Sequence, residues 1–128
     1  MTIPNLIERI GCAIAAQEGW FDHLSRPDQN NNPGDLRGAP WISKPAMRDG
    51  YWWATSVPMG QAGMLHLIAL RIAEGNSLTQ LIETWAPASD GNNPSVYTKN
   101  VMTWVGIPDA SVPLWSYLEP LVDPRLTA

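Results

Sequence analysis

The sequence predicts a mainly α-helical single domain with a short irregular or β segment in its middle. Three observations carry this expectation. Apolar residues recur at helical spacing on both sides of a central stretch, Trp20 to Thr55, that is crowded with glycine, proline and asparagine. Residues that start and stop helices fall where those periodic runs begin and end. A length of 128 residues with 45% hydrophobic content suits one compact core, with neither a disordered tract nor a second domain over residues 1–128.

Taken in order, the first helix starts near Pro4, a residue suited to a first helical turn, and carries Ile3, Ile7, Ile10 and Ile14 at spacings of four, three and four. Four residues further, the same stripe reaches Glu18, and Gly19 can end the helix there. Through the central stretch loops and short strands are expected, with "YWWAT" at Tyr51 to Thr55 the best strand candidate. A second long helix runs from about Pro58 to Glu74, with Met64, Leu67, Ile68 and Ile72 inward and Gly75 as its stop. The next opens with "SLTQ" at Ser77 to Gln80, a Ser-x-x-Gln capping box, and closes before Pro87. The loop "APASDGNNP" then leads to a helix of about Ser95 to Val105, which "DGNNP" can cap and Gly106 can end. The tail "VPLWSYLEPLV" predicts a short last helix broken by Pro120. Internal repeats and low-complexity tracts are absent from the sequence.

Charge and composition exclude several classes of function. A net charge of −4 with only 8 Lys+Arg leaves no basic stripe, so no nucleic-acid partner is expected. The lone Cys12 has no intrachain partner and no zinc-ligand spacing around it; it either fills the core or is a bystander. The amino-terminal stretch contains Glu8 and Glu18 and lacks the layout of a signal peptide, so synthesis in the cytoplasm is expected. No apolar run is long enough for membrane insertion. His23 and His66 lack a second His or Cys at ligand spacing, and neither a metal nor a cofactor is expected. The chain is expected to act as a monomer.

The composition is unusual in its 7 Trp beside a single Phe. A tryptophan taken alone is more often a packing residue than a ligand platform. The pair Trp52 and Trp53 is different, because neighbours on an extended segment point to opposite faces. One of them is expected near solvent or a cleft, and Trp53 is the candidate ligand contact.

Glu18 and the run "QNNNPGDL" at Gln29 to Leu36 are the other candidates for chemistry. A helix-end glutamate can simply turn to water. A carboxyl held against an apolar face instead loses solvation in its charged form, so its pKa rises toward the value a general acid needs. Glycosidic cleavage requires such an acid at the leaving oxygen. Asn30, Asn31 and Asn32 each carry a donor and an acceptor, as an N-acetylated sugar does, and Pro33-Gly34 can fix the loop as a turn. An isolated Asn-rich turn bonds more often to its own backbone.

"AAQEGWF", "RPDQNNNPGDLR", the Gly60 to Gly63 helix start and "LTQLIETWAPASDGNNPSVYTKNV" occur in this order. The set resembles the small lysozyme-like proteins of phages and bacteria, relatives of lytic transglycosylases and goose-type lysozymes, over roughly Ala13 to Gly106. The resemblance implies a lysozyme-like α+β domain with a substrate cleft and activity on the glycan strand of peptidoglycan at the cell wall, in phage lysis, in a virion or as a secreted effector. It makes Glu18 the catalytic acid, Asn31, Asn32 and Pro33 the cleft loop, and Tyr97 the tyrosine of the late helix that faces the cleft. The family pattern has Asn after the loop glycine, where this chain has Asp35.

Two chemical routes stay open at this level. Hydrolysis with two carboxyl groups needs a partner for Glu18, for which Asp22, Asp28, Asp35 and Asp49 are candidates. Without one, the substrate's own N-acetyl oxygen attacks the ring carbon, and Glu18 serves first as acid and then as base, as in lytic transglycosylases. Outside catalysis, a module that binds peptidoglycan without cutting it, or a phage structural part, has the same tryptophans and asparagines but no need for a half-buried acid. A general interaction domain with every tryptophan in its core would have no affinity for peptidoglycan.

Overall fold

The computed structural model describes residues 1–120 and Arg125. Helix α1 (Ile3–Glu18) begins where the Thr2 hydroxyl accepts from the Asn5 amide and ends at Gly19, whose φ of 84° is the left-handed conformation that glycine adopts without strain. Its buried face is centred on Leu6, Ile10, Ala13 and Ile14. This corrects the isoleucine stripe: the face that meets the neighbouring helices lies to one side of it, so Ile7 is half-buried and Ile3 is 50% exposed. Cys12 is exposed and plays no part in the core.

The central stretch forms one short helix, α2 (Arg26–Gln29), capped by Ser25, and one hairpin, β1 (Met47–Arg48) with β2 (Tyr51–Trp52). Asp49 and Gly50 make its two-residue turn with φ of 55° and 82°, the pattern for which Asp-Gly is favoured. The strand is shorter than the expected Tyr51 to Thr55 because the chain changes partners. Trp53 still donates to the Ala46 carbonyl, but Ala54 donates to Asn30 in the asparagine loop. Trp52 and Trp53 do point to opposite faces, at 2% and 43% exposed.

Helix α3 (Val57–Ala73) buries Met64, Ile68 and Ile72, while Leu67 packs against a separate small cluster of Leu36, Ala39, Trp52 and Ala54. Two of its glycines form a notch that seats the central stretch. A Cβ on Gly60 would lie 1.6 Å from the Asn31 carbonyl oxygen, and one on Gly63 would lie 2.6 Å from the Trp52 ring. The "GQAG" start of α3 is therefore a close approach of backbone to loop, which only a missing side chain allows.

Helix α4 (Leu78–Trp85) has the expected capping box in both directions between Ser77 and Gln80. Asn93 caps α5 (Pro94–Val105), and Gly106 ends it at φ 83°. A single 3-10 turn at Leu114–Tyr117 replaces the expected last helix and stops before Pro120, consistent with the extended backbone favoured just ahead of a proline. Leu121 and Val122 of that tail lie outside the described residues. The result is a mainly helical α+β architecture in which α1 packs on α3 and α5, and α4 on α5, around one main core. Among the described residues no helix is long and apolar enough to cross a membrane.

Candidate functional site

Glu18, the last residue of α1, reaches a cleft of about 460 Å³ whose lining includes Asp35, Arg26, Arg37, Tyr51 and Asp90. Burial removes water from its carboxyl and, with the nearby charge of Asp35, pushes its pKa from 4.5 to about 7. Arg26 and Tyr97 oppose the shift without cancelling it. The position at the carboxyl end of α1, where the helix dipole is negative, acts in the same upward direction. Glu18 thus holds a proton near neutrality, as the sequence argument anticipates for a carboxyl on an apolar helix face.

Tyr97, buried on α5, turns its hydroxyl toward Glu18, and burial beside that carboxyl drives the pKa of the phenol upward. The contact falls short of a well-formed hydrogen bond, and the Tyr97 hydroxyl has no other partner among the described residues. A buried donor in this position is poised to bond whichever oxygen of Glu18 becomes charged.

Asp35 is the one candidate second carboxylate that lines the cleft. Its backbone sits at φ 49°, a left-handed conformation that Asn and Asp adopt more readily than other side chains. Its carboxylate is held by a forked contact from Arg26, with Nε to Oδ1 at 2.9 Å and Nη2 to Oδ2 at 2.5 Å. The Arg26 guanidinium in turn lies 3.6 Å from the centre of the Tyr51 ring. The other three candidates from the sequence are elsewhere: Asp28 accepts from the Leu24 amide at 2.9 Å, Asp49 turns the hairpin, and Asp22 lies beside Gly19.

The asparagine loop is placed differently from the expected cleft contact. Asn32 is fully buried, donating to the carbonyls of Leu36 and Trp52 and accepting from the Leu36 amide. Asn31 donates to the Ala54 carbonyl at 3.1 Å. Asn30 is buried too, and its side-chain oxygen accepts from Arg48 at 2.7 Å. The Asn31 and Asn32 amides tie the loop to the hairpin, which leaves both outside the cleft lining as buttresses of the wall that carries Asp35, while the buried Nδ2 of Asn30 has no partner among the described residues. Trp53 is also outside that lining; its exposed ring is covered on one side by Arg48, 4.4 Å from its centre.

Sequence reasoning passed over Arg26, Arg37, Tyr51, Trp85 and Asp90. One signal was available. Arg26 and Arg37 bracket the asparagine run, an uneven placement for a chain with so few cations. Trp85 at the end of α4 donates its indole N–H to the Gly34 carbonyl at 2.9 Å, which fixes the loop against the helical part. His23 faces Asp28 at 3.9 Å and His66 stands edge-on to Trp41, and among the described residues no group of three or more His, Cys, Asp or Glu is arranged to hold a metal.

Comparison with protein-family models, with curated proteins and with solved structures returned no match.

Proposed function

We propose that this protein has a lysozyme-like fold and cleaves the glycan strand of peptidoglycan at the bond between N-acetylmuramic acid and N-acetylglucosamine, with Glu18 as general acid. The observation that carries the reading is a carboxyl with a pKa near 7 facing an open cleft beside a second, arginine-held carboxylate. The ordered resemblance of the sequence to small lysozyme-like proteins supports it independently. Delivery to the wall in a phage lysis system, a virion or as an effector belongs to the same proposal.

Glu18 gives its proton to the glycosidic oxygen as the bond breaks and positive charge grows on the sugar ring. The engagement of Asp35 in the Arg26 fork favours the substrate-assisted route over direct attack by Asp35, because a nucleophile would have to leave that pair. In this route the N-acetyl oxygen attacks the anomeric carbon. The ionised Glu18 then takes the proton of the C6 hydroxyl, whose oxygen closes a 1,6-anhydro ring and displaces the acetamido oxygen. Asp35 acts through charge, helping to keep the proton on Glu18 until a leaving oxygen accepts it, and Tyr97 offers its hydroxyl to the carboxylate that results.

The test is digestion of purified sacculi by the protein and by Glu18→Gln, with the released muropeptides weighed by mass spectrometry. Products lighter by one water, formed only by the unaltered protein, are the expected result. Fully hydrated products would transfer the second step to water. Binding without release by either protein would overturn cleavage in favour of a recognition module.

A further inference from the structure

Three arginines, Arg26, Arg37 and Arg71, line the cleft of a chain whose net charge is −4. Two of them are committed to hydrogen bonds. Arg26 spends its Nε–Nη2 edge on Asp35, and Arg71 donates to Glu74 at 2.9 Å. Arg37 differs from both. Among the described residues it makes no hydrogen bond, its side chain is 59% exposed, and its contact with Asp90 is a looser one, with Nε at 3.4 Å from the carboxylate. It is nevertheless positioned, because its guanidinium lies 4.8 Å from the centre of the same Tyr51 ring that supports Arg26. The Nη1–Nη2 edge is therefore a pair of parallel donors held near the ring, with no hydrogen-bonded acceptor among the described residues, and such an edge matches the two oxygens of a carboxylate.

We propose that Arg37 forms a carboxylate-binding subsite of the cleft and makes the protein selective for anionic glycan strands over neutral ones. The proposal rests on the glycan reading above and adds the substrate's charge to it. A peptidoglycan strand offers such a carboxylate in either of two chemical forms: the free lactyl group of a muramic acid without its peptide, or an acidic group on an attached stem peptide. Asp90 sets the strength of the subsite from the other side of the guanidinium, since its negative charge competes with an incoming carboxylate at close range.

Titration calorimetry with three oligosaccharide probes of equal length tests this on the intact protein with the Glu18→Gln substitution, which keeps the probes uncut. The probes are a neutral N-acetylglucosamine oligomer, a strand with free lactyl carboxylates, and a strand with stem peptides. At least one anionic probe is expected to bind about tenfold more tightly than the neutral one, with the preference shrinking as salt is added. The anionic probe that binds more tightly identifies the source of the carboxylate. Adding Arg37→Gln is expected to remove that preference, and adding Asp90→Asn to enlarge it. Equal binding of neutral and anionic probes, or a preference that survives Arg37→Gln, would overturn the subsite while leaving the glycan reading in place. Failure of all three probes to bind would overturn both.

Discussion

Glu18 and Asn32 are only fourteen positions apart in the chain, both sit at the ends of short motifs, and both carry polar side chains into the interior, yet they have opposite fates. Asn32 is closed: each of its polar atoms has a backbone partner, and nothing is left for a ligand. Glu18 is open: burial has raised its pKa to about 7, and the Tyr97 hydroxyl turned toward it completes no hydrogen bond. The difference teaches that a polar residue in a core is a candidate for chemistry when its bonding capacity is unspent. When that capacity is spent, the residue is architecture.

The comparison breaks most sharply under substitution. Glu18→Gln is expected to lower turnover on sacculi by a factor of at least about a thousand, as removal of a general acid does, while leaving the fold intact. Muropeptide release is the measurement. Gly60→Ala is expected to destabilise the fold by about 3 kcal/mol or more, because its methyl would overlap the Asn31 carbonyl oxygen and force the loop off α3. Asn32→Ala should cost about 2–3 kcal/mol by leaving the Leu36 amide and two carbonyls unpaired in the interior. Denaturant midpoints of the two variants settle both values, and a neutral result for Asn32→Ala would place that side chain outside the scaffold.

Proton linkage sharpens the same contrast. The folded chain keeps the Glu18 proton up to about pH 7, whereas the unfolded chain releases it near 4.5. Between these values the folded state binds more protons, so the contribution of this group to stability is fully present below 4.5 and is lost as the pH rises to 7. Glu18→Gln is expected to gain stability relative to the unaltered protein over that window and no further above it, as followed by unfolding at a series of pH values. The smallest effect is expected at Trp53→Ala, about 0.5–1 kcal/mol from the lost stacking on Arg48.

Much of the helical frame was legible because it is written in local chemistry. The capping box at Ser77, the left-handed glycines 19 and 106 and the proline in the first turn of α1 act within a few residues of themselves. The stripe of α1 was read to one side of its true centre because Ile3 and Leu6 are equally apolar, and only the positions of the neighbouring helices decide which one is covered. The hairpin had a readable Asp-Gly turn, but the length of its second strand depends on Ala54 turning to Asn30, a partner 24 residues away. Glu18 was found because its helix places it. Arg26, Arg37, Tyr51 and Asp90 were not, since they come from four separate segments, the start of α2, the loop after it, β2 and the connection between α4 and α5, and no periodicity links them. The asparagines were misplaced because an amide that binds a sugar and one that binds a backbone have the same letter.

The small cluster of Leu36, Ala39, Trp52 and Ala54 stands apart from the main core, joined to it through Trp85. It also underlies the wall that presents Asp35, Arg37 and Tyr51. Few buried apolar groups hold that wall, so its amides should exchange with solvent deuterium through a local opening, while those of α1 and α5 wait for global unfolding. The two sides of the cleft would then belong to units of unequal cooperativity: the side that holds the proton stays fixed, and the side that carries the arginines can loosen around it.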